Sequence, residues 1–399
     1  MNIRKPKICV LSTTPLAVHF FLKPHLLSLT RHLEVTLACN PNSDSYLPPL
    51  DLPIRQVPVG MERKISPLRD LIALFELYRL FRRERFDLVV SVVPKAGLLG
   101  MLAAFLIGVP KRVHIFQGQV WASKRGFMRG LLKSIDWFVA KLATDLLAVS
   151  ASERKFLEEQ GVVKPGRVQV LGAGSICGVD MARFRPDPDA RTELRQFCGI
   201  PNDAVVCLFL GRITADKGVF DLVRAYSACA DAQPNLWLIL VGPDEEDLSL
   251  QLKTMLNGEA ARRMLVHGFT NSPERYIAAS DFLCLPSYRE GFGMVVIEAA
   301  AAGVPSIGSR IYGVIDAIVE DETGLLVPPR DPKRLAVALS GLARDDVLRA
   351  RLALAGRTRV ENEFKQENVV AGYVDFFLGL WRTQPDQRFP RTRKNKVKP

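Results

Sequence analysis

The sequence contains no CxxC pair and no clustering of histidine with cysteine, although seven cysteines and five histidines are spread through its 399 residues. That scatter, with an odd cysteine count, disfavours a disulfide framework or a structural zinc site and fits a reducing compartment. Cys9, Cys207 and Cys284 lie inside apolar runs and read as packing residues. Long apolar stretches are missing as well. The longest apolar run without charge, residues 96–110, includes three glycines and falls short of the roughly 20 residues that cross a bilayer, so a buried helix is expected there. No secretory leader is expected either, because Met1 to Lys7 runs directly into a short strand. There is no internal repeat of about 20–50 residues, and the only biased tract is the basic RFPRTRKNKVKP.

What is present describes a folded chain of two domains. Its 399 residues exceed the length at which one core stops growing, and 48% hydrophobic with 24% charged residues is ordinary globular composition. The net charge of +12 is unevenly placed. Up to Gly199 there are 29 basic and 17 acidic residues, and beyond it 25 of each. Residues 382–399 carry seven basic residues and one acidic, which leaves residues 200–381 at −6. A basic first domain therefore joins an acidic second one. The excess reads either as a solvated surface or as a face for an anionic partner such as phosphate, nucleic acid or lipid.

Short β-rich runs alternate with helical patterns along the whole chain, the signature of parallel α/β sheets. The first series is KICVLS, EVTLACN, FDLVVSVV, KRVHIF, DLLAVS and RVQVLG, with helices expected over 67–85, 96–107, 126–143 and 152–160. Ser150 and Glu153 suggest a capping box before the last of these. The turn-rich SICGVDMARFRPDPDA interrupts the pattern, and VVCLFLG opens a second series continued by LWLILVG, MLVHGF, DFLCLPS, VPSIGS and GLLVPP. Two consecutive doubly wound sheets follow, and their ligands bind at the carboxyl ends of the strands.

Two motifs carry chemistry. GRITADKG places Arg212 and Lys217 directly after a strand, where cations absorb the charge of a leaving diphosphate, Arg through its fork and Lys as a point charge. The sharper one is PSYREGFGMVVIEAAAAGVPSIGS. Here a strand runs into a glycine-containing loop and then into a helix from Met294 to Ala302, stopped by Gly303 and Pro305. The helix start offers N–H groups to an anion. Glu290 on the loop suits sugar hydroxyls, and Glu298, more than a turn into the helix, suits ribose hydroxyls.

With these motifs the sequence resembles the retaining glycosyltransferases of family 4, which have the GT-B fold of two facing Rossmann-like domains. The resemblance covers nearly the whole chain, including GVDMARFRP and IYGVIDAIVEDETGLLVPPRD. It implies an acceptor-binding domain over 1–180, a nucleotide-sugar-binding domain over 181–370, a crossover helix over 371–385 that returns to the first domain, and a basic tail over 386–399. It also implies Arg212, Lys217 and Glu290 as catalytic groups, with Phe269, Gly291, Phe292, Gly293, Met294, Val295, Glu298 and Gln117 completing the donor site. The expected donor is a nucleoside-diphosphate sugar, by default a UDP-sugar, used without metal or other cofactor.

Within the family the chain looks most like bacterial enzymes that build surface polysaccharide on a polyprenyl-diphosphate carrier. Expected partners are thus such a lipid-linked acceptor and an anionic membrane surface on the cytoplasmic side, with no nucleic acid. The segment GFMRGLLKSIDWFVAKLA reads equally as an interfacial helix or as a core-facing helix with a charged outer side.

Two departures stand out. Where many relatives have His-Gly after the strand matching KRVHIF, this chain has Gln117 and Gly118; either Gln117 supplies an amide contact or His114 takes a related place, and Gln117 is the favoured reading. Where relatives often carry a Gly pair near the first strand, this chain has STTPLAVHFFLKPH, whose Thr13, Thr14, His19 and Lys23 become candidates for the acceptor alongside His114; caps and surface positions are the simpler account of them. His25, in the same segment, is with His19 and Lys23 a candidate for meeting the acceptor's diphosphate, again with a cap or surface position as the simpler account, and His267 reads as a packing residue. The rival functions are a nucleotide-sugar epimerase on the same scaffold and a nonenzymatic basic adaptor for membrane or RNA.

Overall fold

A computed structural model describes residues 5–41, 47, 49–63 and 65–382. Two parallel sheets account for all the strands among them. The first has seven strands: β1 (Lys7–Leu11), β2 (Glu34–Cys39), β3 (Arg55–Pro58), β4 (Leu88–Val92), β5 (Lys111–Phe116), β6 (Asp145–Ala148) and β7 (Val168–Gln169), in the spatial order β3-β2-β1-β4-β5-β6-β7. The second has six: β8 (Val205–Leu210), β9 (Leu236–Val241), β10 (Met264–His267), β11 (Phe282–Leu285), β12 (Ser306–Ser309) and β13 (Gly324–Val327), in the order β10-β9-β8-β11-β12-β13. Every strand pair is parallel. In each sheet the order reverses beside the first strand, and crevices form there at the carboxyl ends of the strands.

Local chemistry explains the elements. The central strands read as unbroken apolar runs because helices cover both of their faces; β4, LVVSV, is buried throughout. Helices Pro67–Glu84, Pro94–Ile107 and Gly126–Leu142 pack side by side on one face of the first sheet. Each fully buried Leu or Phe there, such as Leu77 and Phe81, contributes about 1.5–3 kcal/mol. Edge strand β3, RQVP, was not expected from the sequence. It is short, largely exposed and flanked by proline, and pairing with β2 alone makes it a strand.

The capping box at Ser150 is half formed. Ser150 Oγ accepts from the Glu153 N–H at 3.1 Å, but the Glu153 carboxylate turns elsewhere. The final helix runs over Gln366–Arg382, beginning before residue 371. It packs on helix Lys23–Leu29 of the first domain, with Tyr373 edge-on to His25 at 4.9 Å and its hydroxyl donating to the Ser175 carbonyl at 3.2 Å. The expected tail over 386–399 lies outside the described residues.

Candidate functional site

GRITADKG folds as expected from its place after β8. A short 3-10 turn, Ala215–Lys217, leads through Gly218 (φ +73°) into helix Val219–Ala230. Lys217 Nζ donates to Glu290 Oε1 at 2.6 Å, and Ser287 Oγ donates to the same oxygen at 2.8 Å. The two motifs thus meet as a half-buried ion pair. Arg212 Nη1 donates to Glu245 Oε2 at 2.7 Å. Burial opposes the charge on Arg212, yet the Glu245 carboxylate outweighs it and raises the guanidinium pKa. Arg289 donates to Asp216 at 3.0 Å beside the same turn.

Gly293 (φ +83°) caps helix Met294–Ala301, and Met294, Val295 and Glu298 project from that helix into a cleft. The cleft encloses a cavity of about 190 Å³, open to solvent at its mouth and smaller than the roughly 300–1,000 Å³ of most small-molecule sites, and is also lined by Arg212, Phe269, Thr270, Pro243 and Pro273. Burial lifts the Glu298 carboxyl to about 7, with the nearby Arg183 guanidinium opposing the rise. Because the charged form prevails only above that value, a carboxylate acting as hydrogen-bond acceptor for a ligand is expected to bind more tightly as pH rises from 6 to 8. Isothermal titration with nucleoside diphosphate across that range checks this, and Glu298→Ala is expected to flatten the dependence while weakening binding about tenfold, a loss of about 1.4 kcal/mol.

The first domain closes onto this site. The backbone of Gln117 and Gly118, after β5, lies directly on that of Glu290 and Gly291: a Cβ on Gly118 would sit 2.9 Å from the Gly291 nitrogen, and one on Gly291 2.9 Å from the Gln117 carbonyl carbon. Gln117 Nε2 is buried there without a hydrogen-bond partner, the kind of orphan donor a ligand oxygen satisfies. Around this contact the Gln119 N–H donates to Tyr312 Oη at 3.1 Å, Phe156 stacks on Tyr312 at 4.4 Å, Gly313 N–H donates to Ser152 Oγ at 2.7 Å, and Ser152 Oγ donates to Asp316. Arg63 donates to Glu245 Oε1 at 2.8 Å, so one carboxylate joins guanidinium groups from both domains.

Several expectations require correction. His114 is buried in the first domain, its Nδ1 2.8 Å from Ser91 Oγ and its ring against Gly97. Burial lowers its pKa to about 3, so it is a neutral strand residue and no acceptor contact. Phe292 turns into the core, edge-on to Phe364 at 5.3 Å, so its side chain does not face the donor cleft. Lys23 is exposed at the start of its helix, whereas His25 is buried between Tyr373 and the Ile176 carbonyl, its Nε2 2.7 Å from that oxygen, and is a packing residue rather than an acceptor contact. His19 is half-buried, and from that segment Leu16, Phe20 and Phe21 line the cleft instead. Thr13 and Thr14 are buried at the carboxyl end of β1, Thr13 Oγ1 without a partner.

Sequence reasoning missed Arg63, Glu245, Phe20, Phe21 and the role of Glu153. Fully buried Glu153 accepts from the Gly118 N–H, from Gln119 Nε2 at 2.9 Å and from the Val149 N–H at 3.1 Å, and so holds the loop carrying Gln117. Burial drives its carboxyl up to about 7, and the Gly118 hydrogen bond pulls the other way. A signal existed for Glu245, since GPDEE follows β9 at a carboxyl end as GRITADKG follows β8. The others show only in three dimensions.

Family models match most of the chain: "Glycosyl transferase 4-like domain" over residues 27–174 and "Glycosyl transferases group 1" over residues 190–359. The capsular polysaccharide biosynthesis glycosyltransferase CapM of Staphylococcus aureus is 31% identical over 77% of this chain and 81% of its own length. The UDP-Gal:alpha-D-GlcNAc-diphosphoundecaprenol alpha-1,3-galactosyltransferase of Escherichia coli is 28% identical over 80% and 82%. Among solved structures, Anabaena Alr3699/HepE in complex with UDP and glucose superposes with a TM-score of 0.76 at 18% identity, covering 94% of this chain and 99% of its own. The chain therefore belongs to the family 4 glycosyltransferases of GT-B fold, of the kind that assemble bacterial surface polysaccharides.

Proposed function

We propose that this chain transfers a hexose or N-acetylhexosamine, with retention at the anomeric carbon, from a UDP-sugar to a lipid-linked saccharide in surface-polysaccharide assembly. The observation that carries this reading is that Arg212 and Glu298 line one interdomain cleft, with the Lys217–Glu290 ion pair within electrostatic reach of Arg212. The UDP in the Anabaena structure and the diphosphoundecaprenol acceptor of the Escherichia coli relative support the choice of donor and acceptor.

In this reading Arg212, Lys217 and the N–H groups at Gly293 take up the charge of the departing diphosphate, and no metal is called on. Glu290 orients the sugar once Lys217 turns to phosphate. The acceptor hydroxyl attacks C1 from the leaving-group face as the C1–O bond to phosphate breaks, and its proton passes to that phosphate oxygen. Gln117 meets the sugar from the first domain, and closure excludes water. The test is a panel of UDP- and GDP-sugars with detergent-solubilised lipid acceptors. Nucleotide release that requires acceptor supports the proposal, whereas acceptor-free epimerisation or absence of nucleotide binding overturns it.

We further propose that the first domain rests on the inner face of the cytoplasmic membrane. No helix among the described residues is long and apolar enough to cross one, but the helical layer on one face of the first sheet exposes Leu68, Leu71, Ile72, Phe75, Phe105, Phe127, Leu131 and Trp137. Cations lie over three of these rings: Arg79 over Phe75, Arg112 over Phe105 and Lys141 over Trp137. Apolar side chains interleaved with cations suit an anionic interface. In flotation assays, vesicles containing phosphatidylglycerol are expected to carry the protein, and Leu71→Ser with Phe127→Ser to reduce binding about tenfold or more, at roughly 0.8 kcal/mol per buried methylene. Equal binding by the double variant would remove this surface from consideration.

A further inference from the structure

The cleft has two unlike walls. The second domain contributes Arg212, Glu298 and Thr270 among its lining, whereas the first contributes only the apolar Leu16, Phe20 and Phe21. Phe20 meets Phe269 across the cleft, edge-on with ring centroids 6.3 Å apart. The segment that carries it is unusual: Val18–Leu22 forms a π turn, with the Lys23 N–H donating to the Val18 carbonyl. Such turns are rare and frequent at functional sites. Val18 and Leu22 are buried in the domain core, which leaves Phe20 and Phe21 for the cleft.

A nucleotide sugar has three parts, and only one suits an apolar wall. Sugar hydroxyls or phosphate oxygens placed against Leu16, Phe20 and Phe21 would lose hydrogen bonds to water without replacement. A nucleoside instead presents flat apolar base faces together with ribose hydroxyls for Glu298. We propose that Phe20 is a donor-recognition residue supplied by the first domain, packing against the nucleoside so that the donor's base is held by both domains. The inference rests on the nucleotide-sugar reading above and adds a contact from the opposite domain. Base recognition then reports on domain closure, since an open cleft separates Phe20 from Phe269.

The experiment is isothermal titration of the full chain with UDP, uridine and inorganic pyrophosphate, comparing wild type with Phe20→Ala and Phe20→Leu. Phe20→Ala is expected to weaken UDP and uridine about tenfold, as for loss of an aromatic contact, and to leave pyrophosphate within about twofold. Phe20→Leu, which keeps an apolar wall, is expected to fall between wild type and Phe20→Ala. Unchanged UDP affinity in Phe20→Ala, or an equal loss for pyrophosphate, overturns the inference while wild-type UDP binding still stands. Failure of the wild type to bind either UDP or GDP would instead overturn the donor reading, and this inference with it.

Discussion

Lys217→Ala is expected to lower acceptor-dependent nucleotide release by about a hundredfold to a thousandfold, the effect of deleting one preorganised donor to developing charge. The reasoning starts from geometry. Lys217 Nζ is 2.6 Å from Glu290 Oε1 at the carboxyl end of the second sheet, beside the start of helix Met294–Ala301. A cation held there costs little reorganisation when the diphosphate leaves. Removing it also strands Glu290, whose affected oxygen keeps only the Ser287 hydroxyl. Glu290→Ala is expected to fall in the same range. Because the two side chains form one unit, the double variant is expected to lose far less than the product of the single losses. Initial rates of nucleotide release measure all three, and a single variant retaining a tenth of wild-type rate would refute the assignment.

Gly118→Ala is expected to abolish transfer, by about a hundredfold or more, while each domain stays folded. Gly118 has φ +79°, and an added Cβ would lie 2.9 Å from the Gly291 nitrogen and 3.1 Å from the Glu290 carbonyl carbon. Neither neighbour is a flexible side-chain end. The methyl is accommodated by parting the domains at the point where Gln117 and Glu290 must meet, and a misplacement of about 1 Å costs on the order of a hundredfold in rate. Gly161→Ala provides the control. It has a similar φ of +68° but open space around its Cβ, so it carries the backbone strain of about 1–2 kcal/mol without the clash. A lowered thermal midpoint with near-normal activity is expected for Gly161→Ala. If Gly118→Ala is as active as Gly161→Ala, the interdomain contact does not govern catalysis.

Much of this was legible beforehand because it is encoded locally. Strand runs such as VVCLFL and DFLCLP are buried on both faces and therefore unbroken, and glycine followed by a helical pattern marks the turn at a carboxyl end. The spacing of Glu290 and Glu298, eight positions apart, puts one on the loop after a strand and the other more than a turn into the following helix without knowledge of the rest of the fold. Edge strand β3 escaped notice because its residues are polar and its pairing is one-sided. His114 misled as a candidate because a histidine near the end of a strand looks alike from either face. Burial beside Ser91 and Gly97 is a property of the packed helix Pro94–Ile107.

The sequence by itself determined the two parallel sheets, the order of their elements and the chemistry at the ends of β8 and β11, since these follow from hydrophobic period, glycine placement and charge within short windows. Only the tertiary structure decided that Arg63 and Arg212 share Glu245, that buried Glu153 braces the loop of Gln117, and that Phe20 faces Phe269. These partners lie far apart along the chain, from the 33 positions between Arg212 and Glu245 to the 249 between Phe20 and Phe269. Their meeting depends on how each domain folds and, for Arg63 with Glu245 and Phe20 with Phe269, on how the two domains pack, and no local pattern of residues carries that information.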